Sequence, residues 1–214
     1  MRNDAMAARI VLWGFDGSTY VRTVKMLFVE KNISDYEQVP VNVLKWEPRQ
    51  PEHLERHPFG KVPVVDVDGF RVIETEAITR YLNAVLPGPS LIPEDLKDRA
   101  RMDMVINIID SYGYNPLVGV SGYYFFPELI GGKNDEAHRQ AIAKSHMVLS
   151  VLAGIKGSSS YLAGESISLA DLFLAPILAY IEKSPHREEF LSSGPIGEWW
   201  RHISSRKSFI ATAS

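Results

Sequence analysis

The sequence predicts a small α/β domain followed by an all-helical one, on three observations. Over the first 86 residues strand and helix signals run β-α-β and then, after an irregular stretch, β-β-α. A segment with three prolines and a glycine, PGPSLIP at 87–93, breaks the pattern and reads as an ordered linker. Beyond it the strand signals mostly stop, and apolar residues recur at helical spacing.

Taken in order, residues 8–14 (ARIVLWG) read as a short buried strand. Val21, Val24, Leu27 and Phe28 fall on one helical face, which predicts a helix over about 19–31. Tyr36, Val39, Val41 and Val43 alternate with polar or small neighbours and predict a second strand. The first two strands are joined through a helix, so they run parallel. Residues 62–73 form two runs around Asp68-Gly69, a dipeptide suited to the positive φ angles of a tight hairpin. Ile78, Tyr81, Leu82, Val85 and Leu86 then mark another helix. After the linker, helical periodicity covers 94–112, 135–155, 168–183 and 195–205. The aromatic and glycine-rich stretch 112–132, YGYNPLVGVSGYYFFPELIGG, separates the first two, with 121–132 read as a loop.

The stretch 166–183 carries a helix start. Ser168 is placed to cap and Asp171 to reach back, with Ile167 and Leu172 as the flanking staple. The capping box accounts for Asp171 without a catalytic role. The helix is apolar nearly all round and so belongs in a core. Pro176 removes the N–H that would meet the carbonyl of Leu172, which predicts a bend.

Composition narrows the function. The chain has 214 residues, 45% apolar and 23% charged, with a net charge of −3, ordinary for a globular protein and without the basic excess of a nucleic-acid binder. No apolar run approaches the ~20 residues of a membrane span. The opening MRNDAMAARIV lacks the long apolar core of a secretion signal, so a cytoplasmic location is expected. There is no cysteine. Disulfides, thiolate metal sites and a cysteine nucleophile are therefore excluded, and any thiol chemistry must use a thiol carried by a ligand. Of the six histidines only His53 and His57 are close in sequence, and they lack the acidic partner of a metal motif, so no metal is expected.

One position resists the strand reading. Pro63 follows the first residue of the run VPVVDV, where a proline has no N–H to give a ladder. Either this is an edge, or the backbone is kept free for another partner.

The set formed by FGKVPVV (59–65), Glu74-Thr75 entering a helix that ends Tyr81-Leu82, the prolinic linker and SLADLFLAP (168–176) resembles the cytosolic glutathione transferase family along nearly the whole chain. GFDGSTYVR (14–22) is similar to the serine-type members, the phi-like and bacterial forms. The resemblance implies a thioredoxin-like glutathione-binding domain at 8–86, a linker at 87–93 and an all-helical domain at 94–214 that supplies a hydrophobic substrate site. It implies a cis bond before Pro63, with Val62 offering its backbone to glutathione. Ser18 is the implied catalytic residue, its hydroxyl stabilising the glutathione thiolate, with Thr19 and Tyr20 as neighbouring alternatives. Glu74 and Thr75 hold the γ-glutamyl end, Arg49 and Lys61 lie near the glycyl carboxylate, and Phe15, Tyr112 and Tyr114 face the hydrophobic substrate. Departures are Tyr20 where phi-type members have asparagine, Pro48 where they have histidine, and Thr75 for serine.

The implied activity is conjugation of glutathione, a co-substrate rather than a cofactor, to hydrophobic electrophiles, a detoxifying reaction of a homodimeric enzyme. Glutathione-dependent peroxide reduction at the same site and a non-catalytic ligand carrier are the alternatives. A free thiol with a pKa of about 8.5 is only a few per cent ionised at pH 7, so what the protein can contribute is stabilisation of the anion.

Overall fold

A computed structural model describes residues 8–213. Residues 1–7, most of the stretch read for a secretion signal, lie outside the described residues, as does Ser214 at the end of the expected helical domain. The chain divides into two compact units, with the boundary between Gly88 and Pro89.

The first unit holds a four-stranded sheet in the order β2-β1-β3-β4. Strand β1 (Ile10–Trp13) leads through α1 (Thr19–Glu30) to β2 (Glu37–Val39), which pairs with it in parallel, as a helical crossover requires. Strands β3 (Val64–Val67) and β4 (Phe70–Ile73) form an antiparallel hairpin whose turn residues Asp68 and Gly69 take φ of 53° and 87°. A one-turn helix, α2 (Pro51–Leu54), precedes the hairpin, and α3 (Thr75–Val85) follows it. Val21, Val24, Leu27 and Phe28 of α1 and Ile78 and Leu82 of α3 are fully buried, and α1 packs on α3. The second strand is shorter than its alternation suggests. Pro40 cannot donate to the ladder and ends it, and Val43 opens a tight turn capped by Asn42, whose Oδ1 accepts from Leu44 N at 2.9 Å.

The second unit is helical: α4 (Leu96–Ile108), α5 (Tyr114–Phe125), α6 (Asp135–Lys156), α7 (Leu169–Glu182), α8 (Arg187–Leu191), α9 (Gly194–Ser204) and α10 (Lys207–Ala211). The stretch 112–132 corrects the sequence reading, because it is largely helix. A wide π-type turn, Ile109–Gly113, joins α4 to α5, with Tyr114 N bonded to the carbonyl of Ile109. The extra residue in that turn lets the helix continue into Pro116, which lacks the N–H of a regular repeat. The glycines are contact points rather than loop signals. A Cβ at Gly119 would stand 3.1 Å from Ala141 Cβ of α6, and one at Gly122 would stand 2.9 Å from Ile130 Cγ2. Within 121–132 only the residues after Phe125 leave the α-helix, and Pro127–Ile130 still form a 3₁₀ turn.

Helix α7 is the core of this unit, with Leu169–Ala179 buried throughout. The expected capping box is present. Asp171 does more than cap: its fully buried carboxylate accepts from Ser168 N (2.8 Å), Ser168 Oγ (3.1 Å), Leu162 N (3.0 Å) and Trp199 Nε1 (2.8 Å). Burial pushes its pKa up, and the four donors pull it back toward the ionised form. Asp171→Ala strands three buried N–H donors, each costing about 1–3 kcal/mol. Urea unfolding followed by tryptophan fluorescence is expected to register a loss of about 3 kcal/mol or more. A loss of a few tenths would remove this network from the core's support.

Candidate functional site

The sheet register brings the separated sequence motifs to one edge. Trp13 at the end of β1 pairs with Val39 at the end of β2 and with Val64 at the start of β3, and Val64 pairs with Ile73 at the end of β4. The chain leaving or entering this row carries Phe15 and Ser18, Arg49, Lys61 to Pro63, and Glu74 and Thr75.

Ser18 is the N-cap of α1, and its Oγ accepts from Val21 N in a long 3.4 Å bond. Capping uses a lone pair and leaves the hydroxyl proton free to donate outward. Thr19 Oγ1 is buried without a hydrogen-bond partner among the described residues, so it faces away from solvent. The loop before Ser18 is pinned: Asp16 Oδ1 accepts from Lys25 Nζ (2.7 Å) and Gln38 Nε2 (3.0 Å), while Gln38 also donates to Gly14 O (3.2 Å). The Lys25 bond and then the Gln38 bond hold the Asp16 carboxyl below the usual range. The half-buried Phe15 ring lies over Gly17, where a Cβ would stand 2.6 Å from its edge.

The Val62–Pro63 peptide bond is cis. Among the described residues no hydrogen bond engages the backbone N–H or C=O of Val62, while the ladder begins at Val64. Glu74 precedes α3 with φ 69° and ψ 121°, a backbone outside the regions that non-glycine residues commonly occupy. Its side chain makes no capping bond and is 68% exposed. The N–H groups of Thr75 and Glu76 likewise have no partner among the described residues. The edge thus presents a hydroxyl, a carboxylate, unengaged strand backbone and two helix N-termini.

Lys61 and Arg49 are exposed. Gly60, at φ 58°, faces the Pro48–Arg49 segment so closely that a Cβ would stand 2.7 Å from Pro48 O and 3.1 Å from Arg49 Cδ. That approach places Arg49 beside the segment that leads from Gly60 into Lys61.

Residues 8–84 match the model of the N-terminal domain of glutathione S-transferases, and 117–206 that of the C-terminal domain. Glutathione S-transferase F10 of Arabidopsis thaliana is 32% identical over 186 residues, which cover 85% of this chain and 86% of that protein. The chain belongs to the glutathione S-transferase family. Its members are enzymes, and this chain carries their fold, a thioredoxin-like sheet domain followed by a helical one. The crystal structure of glutathione transferase F7 from Populus trichocarpa superposes with a TM-score of 0.85 at 29% identity, covering 95% of this chain and 97% of that one. Glutathione S-transferase I from maize, solved with an atrazine glutathione conjugate, superposes with a TM-score of 0.82 at 26% identity over 96% of both chains.

Tyr112 and Tyr114 belong to the helical unit of this glutathione S-transferase. Tyr112 stands on the π-type turn, 71% exposed, and Tyr114 opens α5, half-buried. Their rings are thus presented where the helix is widened.

His53 and His57 are the residues that sequence reading undervalued. Both are buried to 2% exposure and support the edge from beneath. His53 Nε2 bonds the carbonyl of Lys61 at 2.8 Å, fixing the residue before Val62. His57 Nε2 lies 3.8 Å from Glu74 Oε1. Burial holds the His57 pKa below the ordinary value, with Glu74 opposing and His53 adding to the shift, so the ring is neutral at pH 7. The i, i+4 spacing was visible, but only the packing assigns it this purpose.

Gly60→Ala tests the close approach. A Cβ at positive φ and against the Pro48 carbonyl is expected to cost about 1–3 kcal/mol. For a chain of this size each kcal/mol lowers the Tm by about 2–4 °C. An unchanged melting temperature would mean that the two segments are not held together.

Proposed function

We propose that this glutathione S-transferase, a serine-type, phi-like or bacterial form, conjugates the thiolate of glutathione to hydrophobic electrophiles. The observation that carries the reading is Ser18: its capping bond spends a lone pair, and its proton remains to donate at the row of the sheet where Val62, Glu74 and Thr75 also emerge. Glutathione lies along the edge as an extra strand against Val62, beside the buried Pro63. The Glu74 carboxylate meets its α-amine. The Thr75 hydroxyl and the first N–H groups of α3 receive the γ-glutamyl carboxylate. Arg49 and Lys61 face the glycyl carboxylate.

The thiol proton leaves to solvent, and the Ser18 hydroxyl donates to the sulfur anion. The thiolate then attacks the electrophilic carbon. An S–C bond forms, and the leaving group departs with its electron pair. The glutathione domain spans 8–86 and the linker 87–93. In the helical domain, from 94, Tyr112 and Tyr114 are the residues proposed to meet the hydrophobic substrate, and in the first domain Phe15 is. The maize relative's glutathione conjugate of atrazine supports an apolar electrophile as the second substrate. Glutathione is the co-substrate and no other cofactor is invoked. The reading includes a cytoplasmic homodimer; among the described residues no helix is long and apolar enough to cross a membrane.

Following the ultraviolet absorbance of bound thiolate against pH tests the site directly. The wild type is expected to ionise the bound thiol well below about 8.5. In Ser18→Ala the thiol pKa returns toward that value, and kcat/KM at neutral pH falls about 10–150-fold, the worth of one hydrogen bond to a charged group. Glutathione affinity is retained. An unchanged rate removes Ser18 from the role. Glu74→Ala is expected to raise the KM for glutathione about tenfold or more, with kcat at saturation largely kept. A loss confined to kcat would contradict a binding role for Glu74.

A further inference from the structure

The helical unit gathers three of the chain's six histidines around one glutamate, none of them a residue assigned above. His138 of α6 and His186, which precedes α8, bring their Nε2 atoms to 3.2 Å. The hydroxyl of Tyr124, near the end of α5, lies 3.2 Å from His186 Nε2 and 3.5 Å from His138 Nε2. Three donor atoms from three separate elements thus form a nearly equilateral triangle. Glu189 orients one corner, its Oε2 2.7 Å from His186 Nδ1 and its Oε1 2.6 Å from His146 Nε2.

Proton accounting leaves this cluster short of one partner. A carboxylate only accepts, so His186 donates its Nδ1–H to Glu189, and its Nε2 in the neutral ring is a lone pair. If His138 carries its proton on Nε2, that N–H donates to the Tyr124 oxygen and the Tyr124 hydroxyl to His186 Nε2, but the buried His138 Nδ1 lone pair is left without a donor among the described residues. If His138 carries it on Nδ1, two lone pairs share the one hydroxyl proton. Neither tautomer satisfies every nitrogen of the two rings. A cation at the centre engages all three donor atoms. A triangle with edges of about 3.3 Å holds its corners about 1.9 Å from the centre, and a slight displacement from the plane gives the ~2.0–2.1 Å of a zinc–imidazole bond. The His186–Glu189 bond is the carboxylate–histidine arrangement that fixes tautomer and ring orientation at metal sites.

We propose that Tyr124, His138 and His186 form a site for a late first-row divalent cation such as zinc, with water completing its shell. Imidazole nitrogens suit zinc, nickel and copper. No trio of His, Cys, Asp or Glu side chains among the described residues makes a metal cluster, so the phenol oxygen is the third protein ligand. The ion joins the end of α5, α6 and the turn between α7 and α8, and stabilises the helical unit through its binding.

The test is calorimetric titration of the full chain, stripped with chelator, with zinc chloride and no thiol in the buffer. The expected result is one ion per chain. Affinity falls at least tenfold in His138→Gln and in His186→Gln and less in Tyr124→Phe. His202→Gln, whose parent ring bonds the Tyr161 hydroxyl at 2.8 Å, keeps wild-type affinity. Zinc also raises the melting temperature of the wild type and not of His186→Gln. Absence of stoichiometric binding to the wild type, or wild-type affinity in both histidine variants, overturns the proposal. A wild-type melting temperature unmoved by zinc overturns it as well, whether or not the variants fold.

Discussion

The proposed site hangs from one row of backbone pairing, Val39–Trp13–Val64–Ile73. Strand register has a period of two, so slipping β3 by one residue against β1 would turn Val65 and Val67 outward and Asp66 inward. Val64, Val65 and Val67 are buried, which makes that slip costly and locks the row. Once the row is fixed, the places where the chain leaves it are fixed too. Ser18, Val62 and Glu74 lie five residues, two residues and one residue from it. Short tethers on a rigid ladder hold a constellation better than long loops do.

The chemistry at that edge follows from what the chain lacks. Without cysteine the protein has no thiolate of its own, and in the proposed function its contribution is to lower the cost of an anion brought by the ligand. Three kinds of group at the edge suit that role. They are a serine proton not spent on capping, strand backbone left unengaged at Val62, and helix N–H groups at Thr75 and Glu76. The supporting groups are neutral or paired. His57 is held neutral by burial, and Lys25 is tied to Asp16. The carboxylate of Glu74 therefore stands without a cation of this unit bonded to it among the described contacts, ready for an ammonium group.

The architecture was legible where local chemistry and tertiary need agree. The Asp68-Gly69 turn, the Ser168–Asp171 capping box and the apolar face of α1 each read correctly because one residue type serves one purpose there. Reading failed where one residue type has two uses. The glycines at 119 and 122 looked like loop formers but admit Ala141 and Ile130 at close range. Val41 and Val43 continued an alternation that Pro40 had already ended. At the site, Ser18 and Glu74 were nameable from their motifs, whereas the roles of His53 and His57 depend on which carbonyl and carboxylate the fold lays beside them.

Glu74 shows how a cost in the fold bears on function. A non-glycine residue at φ 69° and ψ 121° is strained by about 1–3 kcal/mol. If helix capping were the benefit, its carboxylate would bond the first N–H groups of α3, and it does not. Burial does not compensate either, because the side chain is 68% exposed. The strain is sustained by the neighbours, with Ile73 held in the ladder and Ile78 fully buried on the next turn. What the conformation achieves is direction: it separates the carboxylate from the helix N-terminus, so an acceptor and a set of donors stand side by side. A zwitterionic end of a ligand, with its amine and carboxylate on one carbon, requires that separation, and a capped helix would close it.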